Sequence, residues 1–267
     1  MLWQDVFGVC YRWPTERPSR TAYPTPSLRS PRICWKTPET VRVGLGTPVA
    51  PFVRGEGGLD VELMAALGDR LDEPIDFRPG GGDLDQMLDE LLDGTYDCVS
   101  GVVVTDARAQ RVALLPPYLI TGQALAVHTG RLPQVQSVDE LRGLTIGAGR
   151  GDPAAAVAVD LVDRGKAGRV HLSEPGAVLA DLDSGRCDAV VGLAPVLGAL
   201  LVTAPQVEVV QRGLAAQPIA IAVAPSDHAL LARLQVASAE LEDDGTMQAL
   251  RRRWLGNPYT DQSAAVL

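Results

Sequence analysis

Apolar positions along the chain alternate between two periods. Val41–Leu45 is a short apolar run that reads as a strand. Leu59, Leu63, Met64, Leu67 and Leu71 then recur at helical spacing, as do Leu84, Met87, Leu88, Leu91 and Leu92. Ile75–Arg78 reads as a short strand between these two helices, and Gly80-Gly81-Gly82 as a turn. Cys98–Val104 reads as a buried strand, Thr105–Arg111 as the start of a short helix, and Gln123–His128 as a further strand. The pattern then restarts. Ser137 and Glu140 have the spacing of a capping box. Leu144–Ala148, Val170–Leu172, Ala189–Gly192, Val207–Val210 and Ile219–Ala224 read as strands. Between them a helix opens at Asp152-Pro153, and others cover Pro175–Asp183 and Pro195–Val202. Asp227–Glu242 and Gly245–Trp254 close the ordered sequence as amphipathic helices. Strands and helices in alternation predict an α/β fold with mostly parallel sheets and helices on their faces.

One phrase occurs in both halves. Gly94-Thr95-Tyr96-Asp97-Cys98-Val99-Ser100-Gly101 and Gly185-Arg186-Cys187-Asp188-Ala189-Val190-Val191-Gly192 both follow Gly-x-x-Asp-x-Val-x-Gly. In each, the first Gly ends a helix and a buried strand begins soon after. The second Gly allows close backbone approach at the carboxyl end of that strand, where α/β sheets bind ligands. The repeat predicts two similar lobes with a cleft between them.

Composition narrows the function. The chain has 267 residues, 46% of them hydrophobic, and a net charge of -9. Six Arg/Lys and three Asp/Glu lie in the first forty residues, so the acidic excess belongs to the rest. An acidic body with 4% aromatic residues disfavours nucleic acid as a partner. Cys10, Cys34, Cys98 and Cys187 have no CxxC spacing, and Cys98 and Cys187 read as small apolar strand residues. His128, His171 and His228 are scattered, so neither a metal site nor a cofactor is expected. No apolar run reaches the twenty residues of a membrane span. Residues 1–40 hold six Pro and three of the four Trp without periodicity, and read as a disordered or non-native tail, as does 257–267 at the other end. No signal peptide or lipoprotein-type cysteine signal is visible there.

From about Val41 to Gly256 the chain resembles the bacterial extracellular solute-binding proteins of family 3, the polar amino-acid-binding proteins of ABC transporters. The resemblance rests on motifs in order: Pro51-Phe52; Gly58-Leu59-Asp60-Val61-Glu62-Leu63; Ser100-Gly101 through Thr105-Asp106-Ala107-Arg108; Pro117-Tyr118 with Thr121-Gly122-Gln123; and Asp244-Gly245-Thr246 with Trp254-Leu255-Gly256. It implies a two-lobed, type II periplasmic-binding-protein-like clamshell. Lobe one would comprise 41–121 plus 217–256, and lobe two 124–213, with crossovers near Gly122-Gln123 and Gly213–Pro218. It also implies a monomer in the periplasm or at the cell surface, working with a small-molecule ligand and an ABC transporter permease.

Site residues carried over by the resemblance are Phe52, Gly101, Val103, Arg108, Arg150, Gly151, Asp152 and Leu193. Arg108 matches the arginine that grips a ligand carboxylate, a role suited to its planar fork of donors. Phe52 matches an aromatic lid, or is simply a core residue. Val103 replaces a hydroxyl donor, and Leu84 stands where a second aromatic often lies. Gly149-Arg150-Gly151-Asp152-Pro153 replaces a loop of hydroxyls and free N–H groups. Asp152 there reads as a helix N-cap, and Arg150 as either a second cation for the ligand or a solvated loop residue. Leu193 replaces the acid that would balance an α-ammonium. These departures point to a carboxylate with a less polar body rather than an ordinary polar amino acid. Asp152 also carries a negative charge toward Arg108, which leaves two readings: the two pair directly across the cleft and favour closure without ligand, or Asp152 only caps its own helix and never meets Arg108. Two other readings remain open: a sensor on the same clamshell, and an enzyme resembling cyclohexadienyl dehydratase.

Overall fold

A computed structural model describes residues 40–46, 49–79, 83–174 and 176–256. Both expected tails and the Gly80–Gly82 turn lie outside the described residues. Strands β1 (Val41–Leu45), β2 (Ile75–Pro79) and β3 (Cys98–Val103) form a parallel trio with β1 in the middle. The second half repeats this arrangement. There β6 (Thr145–Gly149) lies between β7 (Arg169–Ser173) and β8 (Ala189–Leu193), again parallel.

The Asp of the twice-used phrase explains the likeness. Asp97 accepts a hydrogen bond from Arg42 N at 2.7 Å and donates its own N–H to Arg42 O at 2.9 Å. Asp188 does the same to Thr145, accepting from its N and donating to its O, both at 2.8 Å. Each Asp therefore ties the start of its own strand to the start of the neighbouring parallel strand, closing backbone groups that would otherwise lie unpaired. The first Gly of each phrase has positive φ, 79° at Gly94 and 78° at Gly185. The residue after it reaches back over the helix end, Thr95 N to Glu90 O and Arg186 N to Asp181 O, both at 2.9 Å. This is a Schellman-type termination, and it needs the Gly. The second Gly differs: Gly101 has φ 77°, whereas Gly192 is not among the positive-φ residues.

Two long strands complete the sheets. β5 (Leu119–His128) pairs antiparallel with β10 (Ala216–Val223) through Leu119–Gly122, and with β8 through Gln123–Val127. β10 also borders β3 and the short β4 (Ala113–Leu114), and β9 (Val207–Gln211) borders β5. The sheets are therefore mixed rather than mostly parallel, because the chain must return through the crossovers. The two sheets share β5, giving one hydrogen-bonded path β2-β1-β3-β10-β5-β8-β6-β7. At the crossing, Gln123 N donates to Ala215 O and Leu214 N donates to Gln123 O, both at 3.0 Å.

Each sheet is covered on both faces. In the first lobe α1 (Leu59–Leu71), α7 (His228–Asp243) and α8 (Thr246–Leu255) bury Leu63, Leu67, Leu234 and Met247 against Val43 and Ile221. On the other face α2 (Leu84–Leu92) buries Met87, Leu88 and Leu91 against Val99 and Val102. In the second lobe α4 (Pro153–Asp163) covers one face with Ala154, Ala158 and Leu161. α5 (Val178–Asp183) and α6 (Ala194–Leu201) cover the other with Leu182 and Leu197. Cys98 and Cys187 are buried, free thiols, as their apolar neighbours require. The expected capping box marks a 3-10 turn at Val138–Glu140, with Ser137 N donating to the Glu140 carboxylate at 3.1 Å.

Candidate functional site

A cavity of about 540 Å³ is walled from both lobes. Asp85, Thr105, Ala107, Arg108 and Arg111 line it from the first lobe, Gly151, Asp152, Pro153 and Ala156 from the second, and Gln217 from the crossover. Arg108 lies on the short helix α3 (Asp106–Ala109), which Thr105 caps by accepting from Arg108 N at 3.3 Å. That cap turns the chain out of β3 and sends the guanidinium back toward the sheet end.

Arg108 is held on two sides, its side chain only 11% exposed. Its Nε and Nη2 donate to Asp85 Oδ1 at 3.0 Å and Oδ2 at 3.2 Å, and its Nη1 donates to Val103 O at 3.1 Å. Val103 thus contributes its main-chain carbonyl as an acceptor for Arg108, while its side chain carries no hydroxyl to donate to a ligand. The guanidinium lowers the pKa of Asp85 through this hydrogen-bonded pair. Asp85 is in turn placed by α2, where Asp83 caps the helix and accepts from Asp85 N at 2.9 Å.

The expected pair between Arg108 and Asp152 is not formed. Asp85 occupies the fork instead, because it lies in the same lobe and presents both oxygens side-on. Asp152 occupies the N-cap position of α4, but its side chain makes no capping hydrogen bond. Its carboxylate folds back over Gly149, where any Cβ would run into Oδ2. Desolvation raises its pKa. Gly151 lines the cavity with φ 79°.

Other expected site residues lie elsewhere. Phe52 is buried in the first-lobe core, its carbonyl accepting from Asp60 N at 3.0 Å, and is not among the cavity-lining residues. Leu193 packs against that same core from the second lobe. Arg150 is exposed and pairs with Glu174 at 3.2 Å. Gly101 adopts φ 77° above a buried carboxylate, since a Cβ there would lie 2.7 Å from Asp60 Oδ2. Asp60 accepts from the Tyr118 hydroxyl at 2.5 Å, and burial pushes its pKa up to about 7 despite that bond.

Sequence reading missed Asp85, Arg111 and Gln217 as cavity residues. Asp85 was legible only as part of a helix face, and nothing local marks its pairing with a residue 23 positions later. Among the described residues no cluster of His, Cys, Asp and Glu is arranged to hold a metal, and no helix is long and apolar enough to cross a membrane.

Comparison with known proteins matches this architecture. The family model for bacterial extracellular solute-binding proteins, family 3, matches residues 41–257. The L-cystine-binding protein TcyJ of Escherichia coli K12 is 28% identical over 228 residues, covering 83% of this chain and 84% of that protein. The ABC transporter arginine-binding protein 1 of the same organism is 28% identical, covering 74% of this chain and 81% of its own length. Among solved structures, an ancestral arginine-binding protein bound to arginine superposes with a TM-score of 0.71 at 28% identity, over 81% of this chain and 98% of that one. All three are named as amino-acid-binding proteins, and the second of them as one of an ABC transporter. A two-lobed α/β body, a cavity walled from both lobes and a family match from Val41 onward together place the chain among the bacterial extracellular solute-binding proteins of family 3.

Proposed function

We propose that this protein captures a small carboxylate-bearing ligand between its lobes and presents it to an ABC transporter permease. The observation that carries this reading is Arg108, a nearly buried guanidinium at the wall of a cavity lined from both lobes. Such a fork recognises a planar carboxylate by paired charge-assisted hydrogen bonds, at a low cost of ordering because the side chain is already held. Thr105 and Gln217 add uncharged polar groups beside it. A cavity of this size fits a ligand of amino-acid dimensions or somewhat larger.

Calorimetry against amino acids, keto acids and aromatic acids tests the reading. Arg108→Ala should weaken every carboxylate that binds by roughly ten- to a hundredfold, as expected for loss of charge-assisted hydrogen bonds. Equal affinity of wild type and variant for such a ligand would remove Arg108 from the site. Co-purification with the partner permease, stimulated by ligand, tests the transport step and separates it from a sensing role on the same fold.

A further inference from the structure

The guanidinium assigned above to a ligand carboxylate already holds a carboxylate of its own lobe. Asp85 takes Nε and Nη2 side-on, and Val103 O takes Nη1. Two hydrogens remain on the fork, one on each terminal nitrogen. A second carboxylate placed there would meet a charge that Asp85 has already balanced. The two partners are unequally anchored: the Arg108 side chain is 11% exposed, that of Asp85 56%. Arg108 is the fixed member and Asp85 the one that can leave. A landing place is at hand, because Arg111 Nη1 stands 3.5 Å from Asp85 Oδ1 while also pairing with Asp89.

We propose that Asp85 is a specificity-determining residue that occupies the carboxylate grip, so that a ligand gains Arg108 only by taking it from Asp85, which then turns toward Arg111. This rests on the reading of Arg108 as the carboxylate grip. The exchange sets a threshold against weakly held simple acids. It favours ligands that bring a cationic group to meet the released Asp85, or Asp152 on the facing wall of the cavity, whose carboxylate forms no ion pair among the described residues. Because Asp85 is more than half exposed, water and Arg111 accept it at small cost, and the threshold is modest.

Acetate is a suitable probe, being small enough to reach the fork whatever the natural ligand. The Arg108 side-chain Nε–H resonance of nitrogen-15-labelled protein, assigned with Arg108→Gln, reports its arrival. Half-saturation should fall roughly fivefold in Asp85→Asn, the factor that an exposed ion pair is worth. Asp85→Ser, which has no carboxylate or amide to reach the fork, should shift it in the same direction. Glu90→Gln removes one negative charge from the same helix at a residue whose carboxylate accepts from Gln86 rather than from Arg108 or Arg111, and should titrate like wild type. If acetate moves the Arg108 signal equally in wild type and both Asp85 variants, the grip stands and Asp85 is no competitor. A shift in Glu90→Gln as large as in Asp85→Asn would reduce the effect to general helix charge and overturn the proposal. If acetate reaches Arg108 in none of these proteins, the carboxylate grip fails and the exchange with it.

Discussion

Asp60 illustrates how one side chain can tie local backbone shape to solution behaviour. It sits 1% exposed beneath Gly101, so burial disfavours its charge. Its pKa is near 7 when folded, against an ordinary value of 3.8. Between those values the folded protein keeps the proton and the unfolded chain has lost it. The stability contributed by this group is therefore fully present below about pH 4 and is lost as pH rises toward 7. Denaturant titrations should show wild type losing stability relative to Asp60→Asn across that window, by an amount on the order of a few kcal/mol. A constant difference between the two proteins from pH 4 to 8 would mean that Asp60 is ionised throughout. Arg108 carries the complementary lesson at this scale: it lines the cavity, and its partner Asp85 does not follow from the family resemblance.

Among elements, the twice-used strand start has a shared mechanical role. Asp97 and Asp188 each accept from the main chain of the neighbouring parallel strand, and Asp97 additionally takes Arg42 Nε at 3.0 Å and Nη2 at 2.6 Å. Replacing either Asp by Ala leaves a strand-start N–H without its acceptor, at a cost of about 1–3 kcal/mol. The two sites lie in different lobes and share no partner, so the costs in the double variant should add within a few tenths of a kcal/mol. Urea denaturation of the single and double variants measures both quantities. Hydrogen exchange should localise each loss, with Asp188→Ala loosening β6 and β8 but not β1 and β3. Uniform loosening across both sheets would show that the lobes do not open separately.

Across the whole molecule, the lobes meet through β5 and β10, whose pairing changes neighbours at Gln123. A crossing of this kind absorbs rotation in few residues, which is the geometry of hinge closure. Binding of a carboxylate from the ligand panel should therefore lower the radius of gyration in solution scattering. Arg108→Ala should show no contraction at the same ligand concentration, because the first-lobe anchor is lost. Contraction in the variant equal to wild type would assign closure to second-lobe contacts instead. The Asp152–Arg108 pair expected from the sequence is not formed in this structure, where Asp85 holds the fork.

Much of the body was legible in the chain. Periodicity located helices such as α2 and α7, because amphipathic burial is written in spacing alone. Paired Gly residues before β3 and β8 marked two helix ends, since positive φ is a local demand of the backbone. Ordered motifs around Arg108 identified the family. The antiparallel pairing of the crossover strands left no mark in the periodicity, because strand partners far apart in sequence leave no periodic trace, and β4 with two residues is too short to carry one; only the family resemblance implied crossovers near Gly122-Gln123 and Gly213–Pro218. Nor was the site's charge balance. Phe52 and Leu193 are apolar residues that serve core and cleft equally well as letters, and packing put Phe52 in the first-lobe core and Leu193, from the second lobe, against it. The partner of Arg108 was settled between Asp85 and Asp152 by distance and direction, which exist only once α2 is docked beside β3.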